Sequence, residues 1–195
     1  MRNLITGGAG FIGSNLIDKL IKNGEHVTCL DNLSSGNKAN LNEFEKNKNF
    51  NFIRHDISNK LKMENNFDWV LNFACPASPK YYLKNPLDTA SASIKGIYNI
   101  LDFCLKNNST LLHASTSEVY GSSQYEPMDE KHPTSSQSPY AASKNSADEL
   151  AKSYYNSFNL PVKIIRPFNA FGPRQSARAV IPNIIFQLSD EKIKN

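Results

Sequence analysis

The chain has 195 residues, of which 39% are hydrophobic and 21% are charged, and its formal net charge is +4. This length and composition are those of a globular domain with a sizeable core, with room for the start of a second domain. The lysines are dispersed among asparagines and carboxylates and do not form one basic face, which argues against a nucleic-acid partner.

Membrane, metal and disulfide chemistry are also not expected. The sequence contains no run of about 18 apolar residues, and the N-terminus runs straight from a short strand into a glycine loop, unlike a signal peptide. Cys29, Cys75 and Cys104 form no CxxC pair, and the four histidines lack metal-ligand spacing. We therefore expect reduced cysteines, no metal site and a cytoplasmic location.

Short apolar runs alternate with segments of helical spacing along the chain. The predicted strands are Arg2–Thr6, Val27–Leu30, Phe50–Arg54, Trp69–Phe73, Thr110–Ala114 and Val162–Arg166. The predicted helices are Phe11–Asn23, a long helix after Pro86, Tyr140–Phe158 and Val180–Leu188. This alternation predicts an α/β fold with a Rossmann-type, doubly wound parallel sheet, whose ligands bind at the carboxyl ends of the strands.

Helical spacing also predicts which side chains of the two longest helices face the sheet. In the helix after Pro86 these are Ile94, Ile97, Leu101, Cys104 and Leu105. In Tyr140–Phe158 they are Ala147, Leu150, Ala151, Tyr154 and Phe158.

A glycine-rich turn joins the first strand to the first helix. Its GxxGxxG spacing places Gly7 for a tight turn, Gly10 for close approach of a pyrophosphate and Gly13 for packing of helix on strand. The helix N-terminus adds free N–H groups and a positive dipole end. Asp31 follows the second strand, where a carboxylate accepts hydrogen bonds from ribose hydroxyls and repels a 2′-phosphate. The pattern predicts an NAD site, and a plain glycine turn with Asp31 as a turn cap is the alternative.

Tyr140 and Lys144 lie one helical turn apart on the same face. An ammonium beside a phenol stabilises phenolate, so we expect the pKa of Tyr140 to fall below its usual value of about 10 and Tyr140 to act as a base. Thr116 and Glu118 follow the fifth strand and would face the same crevice, where Thr116 can bind a substrate hydroxyl and Glu118 can transfer a proton. The alternatives are a surface Tyr–Lys pair and a capping role for Thr116.

Five segments in a fixed order carry a family resemblance. They are GGAGFIG, the Asp31 position, STSEVYG, YAASK and RPFNAFGPRQ. Together they resemble the extended short-chain dehydrogenase/reductases, and within them the NAD-dependent epimerases and dehydratases that act on nucleotide sugars. The resemblance implies NAD as cofactor and a nucleotide sugar as substrate. It makes Tyr140 the base that takes a sugar hydroxyl proton, with Lys144 and Thr116 completing a triad.

The same resemblance implies the other site residues. Asp56 and Ile57 resemble the pair that contacts adenine, Ala74 resembles a residue that lines the cofactor, and Asn169 resembles the residue that grips the substrate diphosphate, with Arg174 assisting. The expected cofactor-binding set is Gly7, Gly10, Phe11, Ile12, Gly13, Asp31, Asn32, Asp56, Ile57, Ala74, Tyr140 and Lys144.

Two branches of the family are mixed in the chain. Segments 54–57 and 73–79 resemble UDP-glucuronate decarboxylases, whereas segments 138–144 and 172–182 resemble nucleotide-sugar 4,6-dehydratases. Oxidation at C4 acidifies the C5 proton and also turns a C6 carboxylate into a β-keto acid. Glu118 can serve as the C5 base and no cationic clamp for a carboxylate is evident. A 4,6-dehydratase is therefore expected first, then a decarboxylase, then a 4-epimerase; the alternative outside enzymes is an inactive NAD-binding fragment.

The motifs divide the chain unequally. We expect an NAD-binding Rossmann domain at residues 1–178 and the start of a truncated substrate-binding domain at residues 179–195. The C-terminal substrate domain of related enzymes would be largely absent, so the chain would bind nucleotide sugar poorly and expose apolar surface. The full-length protein is expected to be a homodimer.

Overall fold

The computed structural model describes residues 1–63, 66–76, 82, 84 and 86–189. The strands are β1 (Arg2–Thr6), β2 (His26–Asp31), β3 (Phe50–Arg54), β4 (Trp69–Asn72), β5 (Thr110–Ala114) and β6 (Val162–Ile165). The helices are α1 (Phe11–Lys22), α2 (Pro86–Asn107), α3 (Pro139–Phe158) and α4 (Val180–Ser189), and short 3-10 helices span Lys38–Phe44 and Ser117–Tyr120. All the predicted helices and strands are present, and their observed ends differ from the predicted ends by no more than one residue.

The six strands form one parallel sheet in the order β3-β2-β1-β4-β5-β6. β1 lies in the middle, paired through Thr6 with Leu30 of β2 on one side and with Asn72 of β4 on the other. From β1 the chain goes on to form β2 and β3 on one side of β1, and then returns to form β4 on the other side. The strand order therefore reverses between β1 and β4, which opens a crevice at the carboxyl edge. The predicted Rossmann-type, doubly wound α/β fold is confirmed.

The two faces of the sheet carry two apolar cores. Leu4 and Val70 point to the face covered by α2 and α3, whereas their neighbours Ile5 and Leu71 point to the face covered by α1. This division follows from the alternation of side chains along a strand. Because both faces are covered, the strands are apolar along most of their length.

Three predicted inward side chains are exposed, which corrects the helix faces assigned above. Ile94 is 42% exposed and Leu105 36% on α2, and Phe158 is 54% exposed on α3. α2 and α3 pack against each other as well as on the sheet, so the buried arc of α2 turns toward Ser93 and Ile100. The other predicted positions are confirmed: Ile97, Leu101, Cys104, Ala147 and Ala151 are buried, and Leu150 and Tyr154 pack against the core.

α4 differs from the other helices, because none of its side chains is buried. Of the helices that the structure describes, none is both long and apolar enough to span a membrane. The three cysteines are free thiols, two of them buried and Cys75 half-buried. The chain end at 190–195, which belongs to the predicted second domain, lies outside the described residues.

Candidate active site

The glycine turn after β1 has the geometry that the sequence predicts. Gly7 has φ +72°, and a Cβ there would lie 2.7 Å from the backbone of Phe73 and of Ala74. A Cβ on Gly13 would lie 2.4 Å from the carbonyl oxygen of Gly7. Gly10 caps α1 without any side-chain hydrogen bond. The first N–H groups of α1, including those of Phe11 and Ile12, are therefore the orphan donors that an anion at a helix N-terminus accepts from.

Asp31 ends β2 beside this turn and is nearly buried, with 8% of its surface exposed. Its carboxylate accepts hydrogen bonds from the Ala9 N–H at 2.9 Å and the Leu33 N–H at 2.8 Å. Burial raises the pKa of Asp31, and these two N–H groups oppose that rise. The predicted turn-capping role is thus present, and the same carboxylate also lines a cleft at the carboxyl edge of the sheet.

A cleft of about 530 Å³ runs along the carboxyl edge beside the crevice. Its lining includes seven of the predicted cofactor residues, which are Gly7, Gly10, Asp31, Asn32, Asp56, Ile57 and Ala74. It also includes residues that no motif singled out, among them Ser34, Gly36 and Ser58. These neighbours follow from adjacency to strand ends and have no residue signature of their own.

Asn32 and Asp56 form one wall of the cleft. The Asn32 amide donates to Asp56 Oδ2 at 2.9 Å, and the Ser58 N–H donates to Asp56 Oδ1 at 2.8 Å. Burial alone would raise the pKa of Asp56, but these hydrogen bonds outweigh it and the pKa is lowered. This wall therefore presents a fixed carboxylate next to the apolar side chain of Ile57.

Thr116 and Glu118 lie directly after β5. Thr116 caps the 3-10 helix Ser117–Tyr120, and its hydroxyl accepts from the Glu118 N–H at 3.2 Å. The predicted capping alternative for Thr116 is therefore real, and the same side chain also hydrogen-bonds Tyr140. Glu118 is exposed at this edge, close enough to act on the charge of Tyr140.

Tyr140 and Lys144 lie in the first turns of α3, which Ser138 caps by accepting from the Ala141 N–H. Both are buried, with 6% and 4% of their surfaces exposed, so the surface-pair alternative is wrong. The Lys144 ammonium donates to the Ala114 carbonyl at 2.5 Å. The ring of Tyr82 stacks on that of Tyr140, with centroids 4.8 Å apart.

The pKa of Tyr140 is shifted in the opposite direction from the predicted one. Burial raises it first, electrostatic interactions with Cys75 and Glu118 add to the rise, and the hydrogen bond with Thr116 only partly opposes it. Burial lowers the pKa of Lys144, against the influence of Cys75 and Asp148. Because Lys144 binds the Ala114 carbonyl, its charge does not set the direction of the pKa shift of the Tyr140 phenol in this arrangement.

Polar side chains for which the sequence patterns predict no role lie behind this pair. Thr6 donates to Asn72 at 2.6 Å, Asn72 contacts His113 at 3.2 Å, and His113 faces Asp148. Asp148 also accepts from Ser115 at 2.9 Å and from Arg166 at 3.1 Å. These contacts depend on strand order, which the spacing of residues along one element does not give.

The segment after β6 carries the predicted substrate residues. Asn169 is exposed there, and its contact with a diphosphate remains a prediction. Arg174 binds the Ser14 carbonyl at 3.1 Å, pairs with Glu43, and lies over the Phe44 ring at 5.5 Å. These contacts fasten the segment to α1, and the substrate role of Arg174 also remains a prediction.

Within the described ranges, no cluster of three or more histidine, cysteine, aspartate or glutamate side chains is arranged to hold a metal ion. Asp31 and Asp56, which line the cleft, instead accept hydrogen bonds from backbone and amide N–H groups.

The family model described as GDP-mannose 4,6 dehydratase matches residues 4–194 of the chain. The UDP-glucuronic acid decarboxylase 1 of Arabidopsis thaliana is 38% identical over 179 residues, which make up 89% of this chain and 41% of that protein. The chain therefore spans less than half of that relative.

Solved structures show the same similarity. A dTDP-glucose 4,6-dehydratase from Streptomyces venezuelae with NAD bound has a TM-score of 0.90 and 32% identity, covering 96% of this chain and 62% of that one. A UDP-glucuronic acid 4-epimerase from Bacillus cereus, in complex with UDP-glucuronic acid and NAD, has a TM-score of 0.89 and 31% identity, covering 96% and 63%.

The parallel sheet, the glycine turn and the buried Tyr140–Lys144 pair define an extended short-chain dehydrogenase/reductase. With a family model matched over nearly its whole length, the chain belongs to the NAD-dependent epimerase/dehydratase family, in the branch described as GDP-mannose 4,6 dehydratase. The resemblance read from the five motifs is confirmed.

Proposed function

We propose that the chain binds NAD and oxidises C4 of a nucleotide sugar, as the first step of a 4,6-dehydration. One observation carries the proposal: the cleft lined by Gly7, Asp31 and Asp56 and the group formed by Thr116, Tyr140 and Lys144 share the carboxyl edge of one sheet. Solved relatives that contain NAD support the choice of cofactor.

NAD, when bound, would supply the hydride acceptor and the positive charge of its nicotinamide ring. In the proposed chemistry Tyr140 takes the proton of the C4 hydroxyl, and Thr116 holds that hydroxyl. Lys144 holds the nicotinamide ribose, and the free N–H groups at the start of α1 hold the pyrophosphate. Because burial raises the pKa of Tyr140, a nearby positive charge is what makes its phenolate accessible.

The step that follows C4 oxidation distinguishes the candidate reactions. In a dehydratase, Glu118 removes the C5 proton and passes it to the C6 hydroxyl, which leaves as water. C6 then takes back the hydride removed from C4 and C5 takes a proton, so the net change is the loss of one water. The exposed carboxylate of Glu118 at the site edge and the matching dehydratase family model support this choice. Decarboxylation is the second candidate, favoured by the 38% identity with a UDP-glucuronic acid decarboxylase. Part of the segment that carries this resemblance, 77–79, lies outside the described residues.

The test is to incubate the protein with NAD and with UDP-, GDP- and dTDP-sugars and to identify products by mass. We expect NAD binding in calorimetric titration and slow formation of a product that has lost one water. Loss of carbon dioxide would indicate a decarboxylase, and a product of unchanged mass an epimerase. Absence of NAD binding would contradict the whole proposal and leave an inactive fragment.

Glu118→Gln separates the two leading reactions. The amide cannot take a proton from C5, so a dehydratase would accumulate NADH and a 4-keto sugar. A decarboxylase would still release carbon dioxide, because its β-keto acid needs no C5 base. Glu149→Gln, an exposed carboxylate on α3, is the matched control and should turn over normally.

A homodimer remains a proposal for the full-length protein. Exposed apolar side chains on the adjoining helices α2 and α3 support it, among them Tyr98, Tyr155 and Phe158. Sedimentation velocity over a range of protein concentrations tests it, and a monomer throughout would contradict it.

A further inference from the structure

The buried polar side chains behind the Tyr140–Lys144 pair form a chain that crosses three parallel strands. It begins at Thr6 on β1, passes Asn72 on β4 and His113 on β5, and ends at Asp148 on α3. All four side chains are buried, with at most 3% of each residue exposed. Polar groups at this depth are costly unless they are paired, so their arrangement requires an explanation.

The hydrogen bonds of this chain fix the protonation of His113. Thr6 donates to the oxygen of the Asn72 amide, which leaves the Asn72 NH₂ group facing His113 Nδ1 at 3.2 Å. An amide nitrogen can only donate, so Nδ1 accepts and the neutral ring carries its proton on Nε2. Burial, and then the charge of Lys144, lower the pKa of His113 well below its usual value, which keeps the ring neutral.

The Nε2–H of His113 faces one oxygen of Asp148. The two atoms lie 3.8 Å apart, and neither has a hydrogen-bond partner within the part of the chain that the structure describes. The other oxygen of Asp148 holds the Ser115 hydroxyl and the Arg166 guanidinium. Donors therefore face Asp148 from β5, from the residue after β5 and from the residue after β6. Burial raises the pKa of the Asp148 carboxyl, and Ser115, Arg166 and Lys144 oppose that rise by favouring its charged form.

Lys144 lies one turn before Asp148 on the same helix and is equally deep. Among the described residues, its hydrogen-bond acceptor is the Ala114 carbonyl, an uncharged group. Desolvation favours the neutral amine of such a lysine. Burial lowers the pKa of Lys144, whereas Cys75 after β4 and Asp148 on α3 act to raise it, and the charge of Lys144 acts in turn on His113 of β5. Arg166 pairs with Asp148.

We propose that Asp148 is a positioning residue for the proposed oxidation, whose buried negative charge keeps Lys144 in its ammonium form. Ser115 and Arg166 hold the Asp148 carboxylate in place. The Thr6–Asn72–His113 chain places a neutral His113 ring, in place of a second positive charge, 3.8 Å from the Asp148 carboxylate. The inference rests on the proposed function only for the task of Lys144, since the charge pairing itself requires neither NAD nor sugar.

The experiment measures the titration of Lys144 directly. The chain is labelled with ¹³C at the lysine ε-carbons, and the Lys144 signal is identified by its loss in Lys144→Arg. We expect the titration midpoint of Lys144 to be lower in Asp148→Asn than in the unsubstituted chain, by about one to three pH units, the range for loss of an opposite charge at short distance. A midpoint that stays within about 0.3 units would overturn the proposal.

Two controls separate charge from structure. Ser115→Ala removes a hydrogen bond to the same carboxylate but leaves its charge, and Glu149→Gln removes the neighbouring exposed carboxylate. Neither should move the Lys144 midpoint. If Asp148→Asn does not fold, Arg166→Gln tests the same idea with opposite sign. The midpoint should then rise, because Asp148 loses its neutralising partner, and an unchanged midpoint would overturn the proposal equally.

A second readout links the charge to the cofactor. NADH affinity, followed by fluorescence, should fall about tenfold for each pH unit above the Lys144 midpoint, so the fall begins at lower pH in Asp148→Asn. A lower midpoint with unchanged pH dependence of NADH binding would contradict the assigned task of Lys144 while the charge pairing stands. Lack of sugar oxidation by the unsubstituted chain would count against the proposed function alone.

Discussion

Asp31 has two tasks at one position, since it fastens the loop around Ala9 and Leu33 and also lines the cleft. Asp31→Ala should weaken NAD binding about tenfold to a hundredfold, because a charged acceptor of ribose hydroxyls is lost. Discrimination against NADP should diminish as well. Calorimetric titration with both cofactors checks this, and Asp18→Ala on the surface of α1 is the control. Equal affinity of the unsubstituted chain for NAD and NADP would contradict the assignment.

Tyr140 is the group most specific to the chemistry. Tyr140→Phe keeps the ring and its stacking on Tyr82, so NAD affinity should change little. Sugar oxidation should fall by about 10² to 10⁴, the usual contribution of a positioned base. NADH absorbance in single-turnover assays measures the rate, with Tyr155→Phe on the exposed side of α3 as the control. Normal turnover by the Phe variant would remove Tyr140 from its proposed role.

Local sequence predicts the first groups of the site but not the groups behind them. Asp31 could be predicted because it follows the second strand, and the Tyr140–Lys144 pair because spacing along one helix places both side chains on the same face. The contact of Asn72 with His113 could not, because it requires β4 and β5 to be adjacent in register. The direction of the Tyr140 pKa was wrong because the depth of the phenol, which tertiary packing sets, outweighs its sequence neighbour.

The turn between β1 and α1 allows a sharp test at the level of the element. In Gly13→Ala the new methyl would lie 2.4 Å from the Gly7 carbonyl, and relief of that contact must move α1 away from the strand. We expect a loss of about 1–3 kcal/mol in the free energy of unfolding and weaker NAD binding. Thermal unfolding and NAD titration below the transition measure the two effects.

Gly24 provides the matched control for this turn. It has φ +77°, but nothing lies within 4 Å of a Cβ there. Gly24→Ala should therefore cost about 1–2 kcal/mol through its backbone conformation and leave NAD affinity unchanged. If both variants bound NAD equally well, the close approach at Gly13 would not matter for the cofactor.

Helices and strands could be located from periodicity almost completely, whereas helix faces could be located only in part. Periodicity identifies an apolar arc, but the neighbours decide how much of that arc is covered. Ile94 and Phe158 belong to the apolar arcs of α2 and α3 and are nevertheless exposed. The packing of α2 and α3 against each other decides which part of each apolar arc is buried. The sequence of one helix alone does not encode that packing.

At the scale of the whole molecule, α4 has an apolar surface without a covering element in the described structure. Ile185 is 58% exposed and Phe186 65%. Replacing both with lysine should reduce aggregation, measured by light scattering, since large exposed apolar patches promote association. The free energy of unfolding should change by less than about 1 kcal/mol.

The control for α4 is a core position. Ile97→Ala, at a side chain with no exposed surface, should cost about 2–5 kcal/mol and lower the unfolding temperature clearly. A comparable loss in the doubly substituted α4 would mean that this helix packs on the domain in solution.

The central place of β1 in the sheet has a consequence for synthesis on the ribosome. β1 is made before β4 and needs β4 on its second side, and the residues that join them, Thr6 and Asn72, are 66 positions apart. Since the ribosome adds about 5–20 residues per second, β4 is made several seconds after the glycine turn. Tyr140 and Lys144 are made later still. A nascent chain can thus complete the cleft wall around Gly7 well before it can perform any chemistry there, and NAD in the cell could act on folding before it acts as a reagent.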